Sequence, residues 1–267
     1  MSLQAKYERL QQILREMKSA LAAFSGGVDS TLLAKAACDA LGEHVQAVTA
    51  WSERAHELDE QELKQLITSL GIRHHLIRYD EMEIPHFREN PPERCYYCKR
   101  WLFERFTQLA KEHALRVVIE GSNLDDADDF RPGMRALKEL GVRSPLREAG
   151  LTKQEIRTLS QAMALPTWNK PAMPCLATRV PYYLEITPEV LRKVQAGEAY
   201  LKQLGFREFR VRHHDTIARI ELPRPDMLRI FQEQLDQPII ARFKEIGYAY
   251  ITLDLQGFRS GSLNEVL

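Results

Sequence analysis

Ser25-Gly26-Gly27-Val28-Asp29-Ser30 decides the fold of this chain. The hexapeptide follows a short apolar run, Ala20 to Phe24, that reads as a buried strand. It precedes Thr31-Leu32-Leu33-Ala34-Lys35-Ala36-Ala37, which reads as a helix. A strand, a paired-glycine turn and a helix start make an anion cradle. Glycine reaches dihedrals that other residues avoid and lets backbone approach a phosphate. The open N–H groups and dipole of the helix start favour negative charge. Ser25, Ser30 and Thr31 add hydroxyl donors.

The loop is neither of the two commonest phosphate loops. No longer glycine loop ends in Lys-Ser/Thr, and the dinucleotide pattern GxGxxG is absent. The hexapeptide instead resembles the loop of the ATP pyrophosphatases, the PP-loop enzymes. That resemblance implies ATP as substrate, adenylation of an acceptor, and pyrophosphate departing into the loop.

Working outward, strands and helices alternate. Leu3, Tyr7, Leu10, Leu14 and Met17 recur at helical spacing. Val45 to Ala50 reads as a strand, Ala55 to Leu70 as a helix stopped by Gly71, and His75 to Tyr79 as a strand. A helix over Tyr96 to His113 and a strand at Val117-Val118-Ile119 follow. This rhythm predicts an α/β domain with a doubly wound parallel sheet. Ligands of such sheets bind beyond the C-terminal strand ends. The loops at 25–30, after Ala50 and after Glu120 share that edge. Thr152-Lys153-Gln154-Glu155 is a capping box that starts another helix.

Pro166, Pro171 and Pro174 exclude a regular helix in the stretch that follows. The first domain is expected to span residues 1–182. Residues 183–267 read as a smaller α+β domain. In it, Thr187-Pro188 caps a helix and strands at 210–213 and 217–221 pair. Helices near 226–235 and 239–246 and a strand at 248–255 complete it.

The 37 Lys and Arg residues balance 37 Asp and Glu, so the 267-residue chain lacks the basic surplus of a general nucleic-acid binder. No apolar run is long enough to span a membrane, and no signal peptide is visible; a cytoplasmic location is expected. In a reducing compartment, four cysteines point to chemistry or metal binding rather than disulfides.

Cys175, in Met173-Pro174-Cys175-Leu176-Ala177-Thr178-Arg179, lies in a proline-bounded loop, where Arg179 would lower the pKa of a functional thiol if the segment turns back; the alternative is a small hydrophobe in the core. Cys95 and Cys98 form one CxxC at a helix start. With Cys175 they would make three ligands for an iron–sulfur cluster, leaving one iron open; redox activity and idle thiols are the alternatives. Cys38 reads as core. Asp125, in Gly121-Ser122-Asn123-Leu124-Asp125-Asp126, can hold magnesium beside a triphosphate. Alternatively Asp126, Asp128 and Asp129 form a solvated acidic turn paired with Arg131, Arg135 and Lys138. Arg210 and Arg212 share one strand face, fit for phosphate or carboxylate or for ion pairs in water.

Taken together, SGGVDS at 25–30, RCYYCK at 94–99, GSNLDD at 121–126, RPGMRALKELGVRSPL at 131–146, GLTKQEIR at 150–157, LPTWNKPAMPCLATRVPY at 165–182 and RVRHHDTIARIE at 210–221 resemble the LarE family. These are ATP-dependent sulfur transferases that help build the nickel-pincer cofactor of lactate racemase. The resemblance implies adenylation of pyridinium-3,5-biscarboxylic acid mononucleotide and attack by Cys175 on the activated acyl group. Cleavage of the Cys175 Cβ–S bond then leaves a thiocarboxylate and dehydroalanine. It implies ATP contacts at Ser25, Gly26, Gly27, Val28, Asp29, Ser30, Ala50, Arg54, Gly121 and Asn123, with Asp29 also catalytic. Arg179, Glu198, Arg210 and Arg212 would face the substrate. ATP and Mg2+ are expected. Where Cys95 and Cys98 accompany Cys175, a 4Fe–4S cluster bearing a transferable sulfide becomes the other sulfur source. A homo-oligomer, a hexamer, is expected, with a small-molecule nucleotide as partner. The competing readings are a tRNA-thiolating PP-loop enzyme and a non-catalytic module that senses ATP or AMP.

Overall fold

A computed structural model describes residues 1–52, 60–127, 132–171, 174–259 and 261–267. The chain forms two compact units, Met1–Pro85 with Glu93–Met173, and His86–Pro92 with Pro174–Leu267. Among the described residues no helix is long and apolar enough to cross a membrane.

The first unit runs α1 (Leu3–Met17), β1 (Ala20–Ala23), α2 (Val28–Leu41), β2 (Val45–Trp51), α3 (Glu60–Ser69), β3 (Arg73–Arg78), α4 (Arg94–Glu112), β4 (Val117–Ile119), α5 (Pro132–Glu139), α6 (Pro145–Glu148) and α7 (Lys153–Ala162). The strands form a parallel sheet in the order β3-β2-β1-β4. Ala20 sits between Val45 and Val117, so β2, β1 and β4 enter the sheet in step. Alternation along β1 sends Ala20 and Ala22 to one core and Leu21 to the other. The small side chains of Ala20 and Ala22 leave room for Leu32, Leu33, Ala36 and Ala37 of α2. On the opposite face Leu21, Val48 and Val118 meet Phe103, Phe106 and Ala110 of α4. Helices on both faces of a parallel sheet give the expected doubly wound architecture.

Local signals set the helix ends. Ser2 accepts the Ala5 N–H at the start of α1. The capping box of α7 is complete, with Thr152 accepting from Glu155 N and Glu155 accepting from Thr152 N. Residues 53–59, which hold the expected start of α3, lie outside the described residues. Helix α5 packs through Arg135 and Gly133 against α4. Arg135 lies over the Tyr96 ring at 4.0 Å, and the Tyr96 hydroxyl donates to Glu139 at 2.7 Å. A Cβ on Gly133 would lie 2.8 Å from Lys99 Cδ and 3.2 Å from the Cys95 carbonyl oxygen, so glycine allows α5 to close on α4. Asp128, Asp129 and Arg131 lie outside the described residues.

The second unit contains α8 (Pro188–Gln203), β5 (Arg210–His214), β6 (Ile217–Glu221), α9 (Arg224–Gln232), α10 (Asp236–Ile246) and β7 (Tyr250–Leu253). Strands β5 and β6 form a hairpin, and β7 adds in parallel to β6. Their core joins Val211, Ala218 and Ile220 to Leu201, Ile239 and Phe243. The units divide at Met173/Pro174, ahead of the boundary expected after Tyr182. The physical reason is local. Asn90 donates to the carbonyls of Val180, Pro181 and Leu184, and Arg179 is buried against Glu198, so residues 174–182 belong to the second unit.

Strand β5 departs from the simple alternation that gave Arg210 and Arg212 an open face. Arg212 is 6% exposed, and its Nε and Nη2 donate to the two Glu221 oxygens at 2.9 and 3.0 Å. Removing one member of a buried pair leaves the other charge uncompensated. Arg212→Met is therefore expected to lower stability by roughly 3–5 kcal/mol in urea unfolding.

Candidate active site

The loop at 25–30 is rooted in the sheet. Phe24 N donates to Val48 O at 2.8 Å, and Thr49 Oγ1 donates to Phe24 O at 2.6 Å. His74 Nε2 lies 2.9 Å from Thr49 Oγ1. Burial pushes the His74 imidazole down to about 4, so it is neutral at physiological pH. The Thr49 hydroxyl already donates to Phe24, so His74 donates to Thr49, and a relay ties the edge strand to the loop's root.

Within the loop, Gly26 takes φ +71°. Gly27 is the N-cap of α2, and its carbonyl accepts from Ser30 Oγ, Thr31 Oγ1 and Thr31 N at 3.2, 2.8 and 3.0 Å. Ser25 Oγ and Ser30 Oγ lie 3.0 Å apart. The turn is thus held by its own hydroxyls over the start of α2, the geometry for an anion. Val28 is buried beneath it.

A cavity of about 360 Å³ opens beside the loop. Phe24, Val48, Ala50, Tyr79, Phe103 and Phe106 form an apolar wall suited to a planar base. Ser25, Asp29, Ser30 and Gly121 line the polar side with Lys99, Glu120, Ser122 and Asp126. A Cβ on Gly121 would come within 3.1 Å of Ser30 N, so glycine is needed where the β4 loop meets the cradle.

Asp29 is the hub. Its Oδ1 accepts from Asn123 Nδ2 at 3.2 Å, and its Oδ2 pairs with Lys153 Nζ. Asp125 faces elsewhere. It is exposed, and its Oδ2 accepts the Lys153 backbone N–H at 2.8 Å at the start of α7. Asp126, not Asp125, lines the cavity. Lys170 Nζ reaches the Gly26 carbonyl at 3.4 Å, and Arg157 holds the same segment through the carbonyls of Trp168 and Lys170. Arg54 lies outside the described residues.

Several cavity residues escaped the sequence reading. Glu120 is 7% exposed and accepts from Ser122 N, Ser122 Oγ and Ser144 Oγ; among the described residues it has no ion-pair partner. Ser144 reaches it because Arg143 bridges to Ile119 beside β4. Lys99 enters from α4 and pairs with no carboxylate among the described residues. Its only sequence signal is its place one residue past the CxxC. Hydrogen bonds to charged groups contribute about 1.5–3 kcal/mol. Lys99→Met is expected to weaken ATP binding roughly tenfold to a hundredfold by calorimetry.

Cys95 and Cys98 lie on the first turn of α4, Cys95 exposed and Cys98 half-buried. Cys38 is half-buried against the first core, as expected. Cys175, in the second unit, is exposed and caps a short 3-10 turn, Leu176–Arg179. Among the described residues no three His, Cys, Asp or Glu side chains are gathered to hold a metal ion. Arg179 pairs with Glu198 and Arg212 with Glu221, whereas Arg210 is half-buried over Phe258 at 4.9 Å. Burial lowers the Arg210 guanidinium to about 10, with Arg179 adding to the effect.

A family described as NAD synthase matches residues 3–90. An uncharacterized protein of Synechocystis sp. is 43% identical over 99% of this chain and 99% of its own length. Pyridinium-3,5-bisthiocarboxylic acid mononucleotide synthase of Lactiplantibacillus plantarum is 37% identical over 100% of this chain and 96% of its own. A glutamine-hydrolyzing GMP synthase component of Methanopyrus kandleri is 27% identical over 73% of this chain and 67% of its own.

Proposed function

The chain belongs to the LarE family of PP-loop enzymes, and on that premise we propose that it is an ATP-dependent sulfur transferase acting on pyridinium-3,5-biscarboxylic acid mononucleotide. The observation that carries this reading is Cys175, an exposed cysteine on a loop fastened by a buried guanidinium. A nucleotide sensor has no use for such a thiol. The neutral charge balance disfavours a tRNA substrate.

In this proposal the base lies against the apolar wall and the triphosphate over Ser25–Ser30. Lys99, Lys153 and Lys170 balance its charge. Asp29 and Asp126 fit Mg2+, which takes one or two carboxylates and shares phosphate oxygens. The metal would neutralise charge on the departing pyrophosphate. A substrate carboxylate attacks the α-phosphorus, and pyrophosphate leaves into the cradle. The Cys175 thiolate then attacks the acyl carbon and AMP departs, leaving a thioester. Loss of the Cys175 Cα proton to a base, with cleavage of Cβ–S, leaves thiocarboxylate and dehydroalanine. A second chain with Cys175 intact treats the other carboxylate in the same way. Arg210 is the substrate-facing cation in this scheme, and the active form is a homo-oligomer.

The positions of Cys95 and Cys98, one helical turn apart, favour a second reading in which a cluster supplies the sulfur and Cys175 is its third ligand. The test is anaerobic incubation of the purified protein with ATP, Mg2+ and the biscarboxylate mononucleotide. AMP, pyrophosphate and thiocarboxylate are expected together. Their absence, with salt-sensitive tRNA binding instead, would overturn the substrate assignment.

A further inference from the structure

The Cys175 loop is held by buried charge, although the thiol-bearing residue is exposed. The Cys175 carbonyl accepts from Thr178 N at 2.9 Å, Thr178 Oγ1 at 2.7 Å and Arg179 Nη1 at 3.4 Å. Arg179 Nη1 also donates to the Pro174 carbonyl at 2.8 Å and to Thr178 Oγ1 at 2.9 Å. On its other side, Arg179 Nε and Nη2 meet the two Glu198 oxygens at 2.8 and 3.1 Å. Glu198 Oε1 accepts the Val211 N–H at 3.1 Å, which ties the arrangement to β5. Arg212 then grips the far end of the turn, with Nη1 donating to the Thr178 carbonyl at 2.6 Å. Glu221 orients Arg212, and Ser262 joins the pair.

Arg179 and Glu221 are 0% exposed, Glu198 5% and Arg212 6%. Guanidinium groups so buried and so engaged are not available to a substrate carboxylate or phosphate. Nor does stability alone call for them, since well-packed apolar residues often serve as well as a buried ion pair. What an apolar pair cannot do is donate to carbonyls. The forked donors of arginine hold several acceptors at fixed angles.

We propose that Arg179–Glu198 and Arg212–Glu221 are positioning pairs, which set the direction of the Cys175 thiol by holding the carbonyls of residues 174, 175 and 178, and that they do not contact substrate. This rests on Cys175 being the sulfur-bearing residue. It leaves Arg210, of the four substrate residues expected from sequence, to meet the substrate.

The test uses the full chain carrying Arg179→Met with Glu198→Gln, which removes both charges and keeps an acceptor for Val211 N–H. In the free protein, exchange of the Thr178 and Val180 amides is expected to accelerate about tenfold or more as the turn opens. The pH profile of Cys175 alkylation by iodoacetamide should move upward, because a nearby cation favours the thiolate. ATP binding should be unchanged. In turnover, kcat should fall with KM for the biscarboxylate nucleotide held. Wild-type exchange and alkylation with a raised KM would overturn the proposal and make Arg179 a substrate contact. If the double variant does not fold, Thr178→Val decides, since it removes one bond to the Cys175 carbonyl from a half-exposed site. Faster exchange supports the proposal, and wild-type exchange overturns it. Exchange and alkylation need no substrate, so they stand even if the assigned reaction fails.

Discussion

Cys175→Ala is expected to abolish thiocarboxylate formation, a loss of about a thousandfold or more, while ATP binding persists. In the proposed reaction this thiol supplies the nucleophile and the sulfur, so no neighbouring group replaces it. The cradle and cavity belong to the first unit, Cys175 to the second. Adenylation should therefore outlive the substitution, and ATP–pyrophosphate exchange in the presence of the biscarboxylate should continue. Cys175→Ser separates nucleophile from sulfur donor. A hydroxyl can at most give an oxygen ester, so no thiolated product should appear. Loss of adenylation along with transfer would mean that Cys175 has a role in the first step.

Asp29→Asn is expected to strike earlier. Asp29 joins the cavity, Lys153 and Asn123, and it is a fitting ligand for Mg2+. The amide keeps the shape but removes the negative charge, leaving Lys153 without its partner. Misplacing charge at a phosphoryl-transfer site by this much costs about a hundredfold to a thousandfold in rate. AMP and pyrophosphate formation should fall together by that factor, with the Cys175 alkylation profile unchanged. A similar loss in Cys175 reactivity would indicate that Asp29 acts through the second unit.

The parallel sheet was legible because its signals are local. The apolar run 20–24, the glycine pair and the capping box at Thr152 each act within a few residues. The polar side of the cavity was legible in part. Ser25, Asp29, Ser30 and Gly121 lie in loops at the strand ends, where the topology directs them. Lys99 and Glu120 were not, since one comes from a helix and the other hides among serines drawn from residues 122 and 144. Asp125 and Asp126 have equal sequence claims as neighbours in a turn; the structure separates them, with Asp125 accepting the Lys153 amide and Asp126 lining the cavity. The buried arginines follow the same logic. Alternation placed Arg210 and Arg212 on one face, but partners at Glu221 and Ser262 cover one of them. Short-range periodicity carries no trace of such distant partners. The unit boundary shifted for a like reason, through Asn90.

The most direct test of sulfur transfer from Cys175 is the intact mass of the protein before and after one anaerobic round with ATP, Mg2+ and the biscarboxylate nucleotide. Loss of the mass of one hydrogen sulfide, mapped to Cys175, with one thiocarboxylate formed per chain, is the predicted result. Thiolated product from a chain whose mass at Cys175 has not changed would contradict it and assign the sulfur to another source.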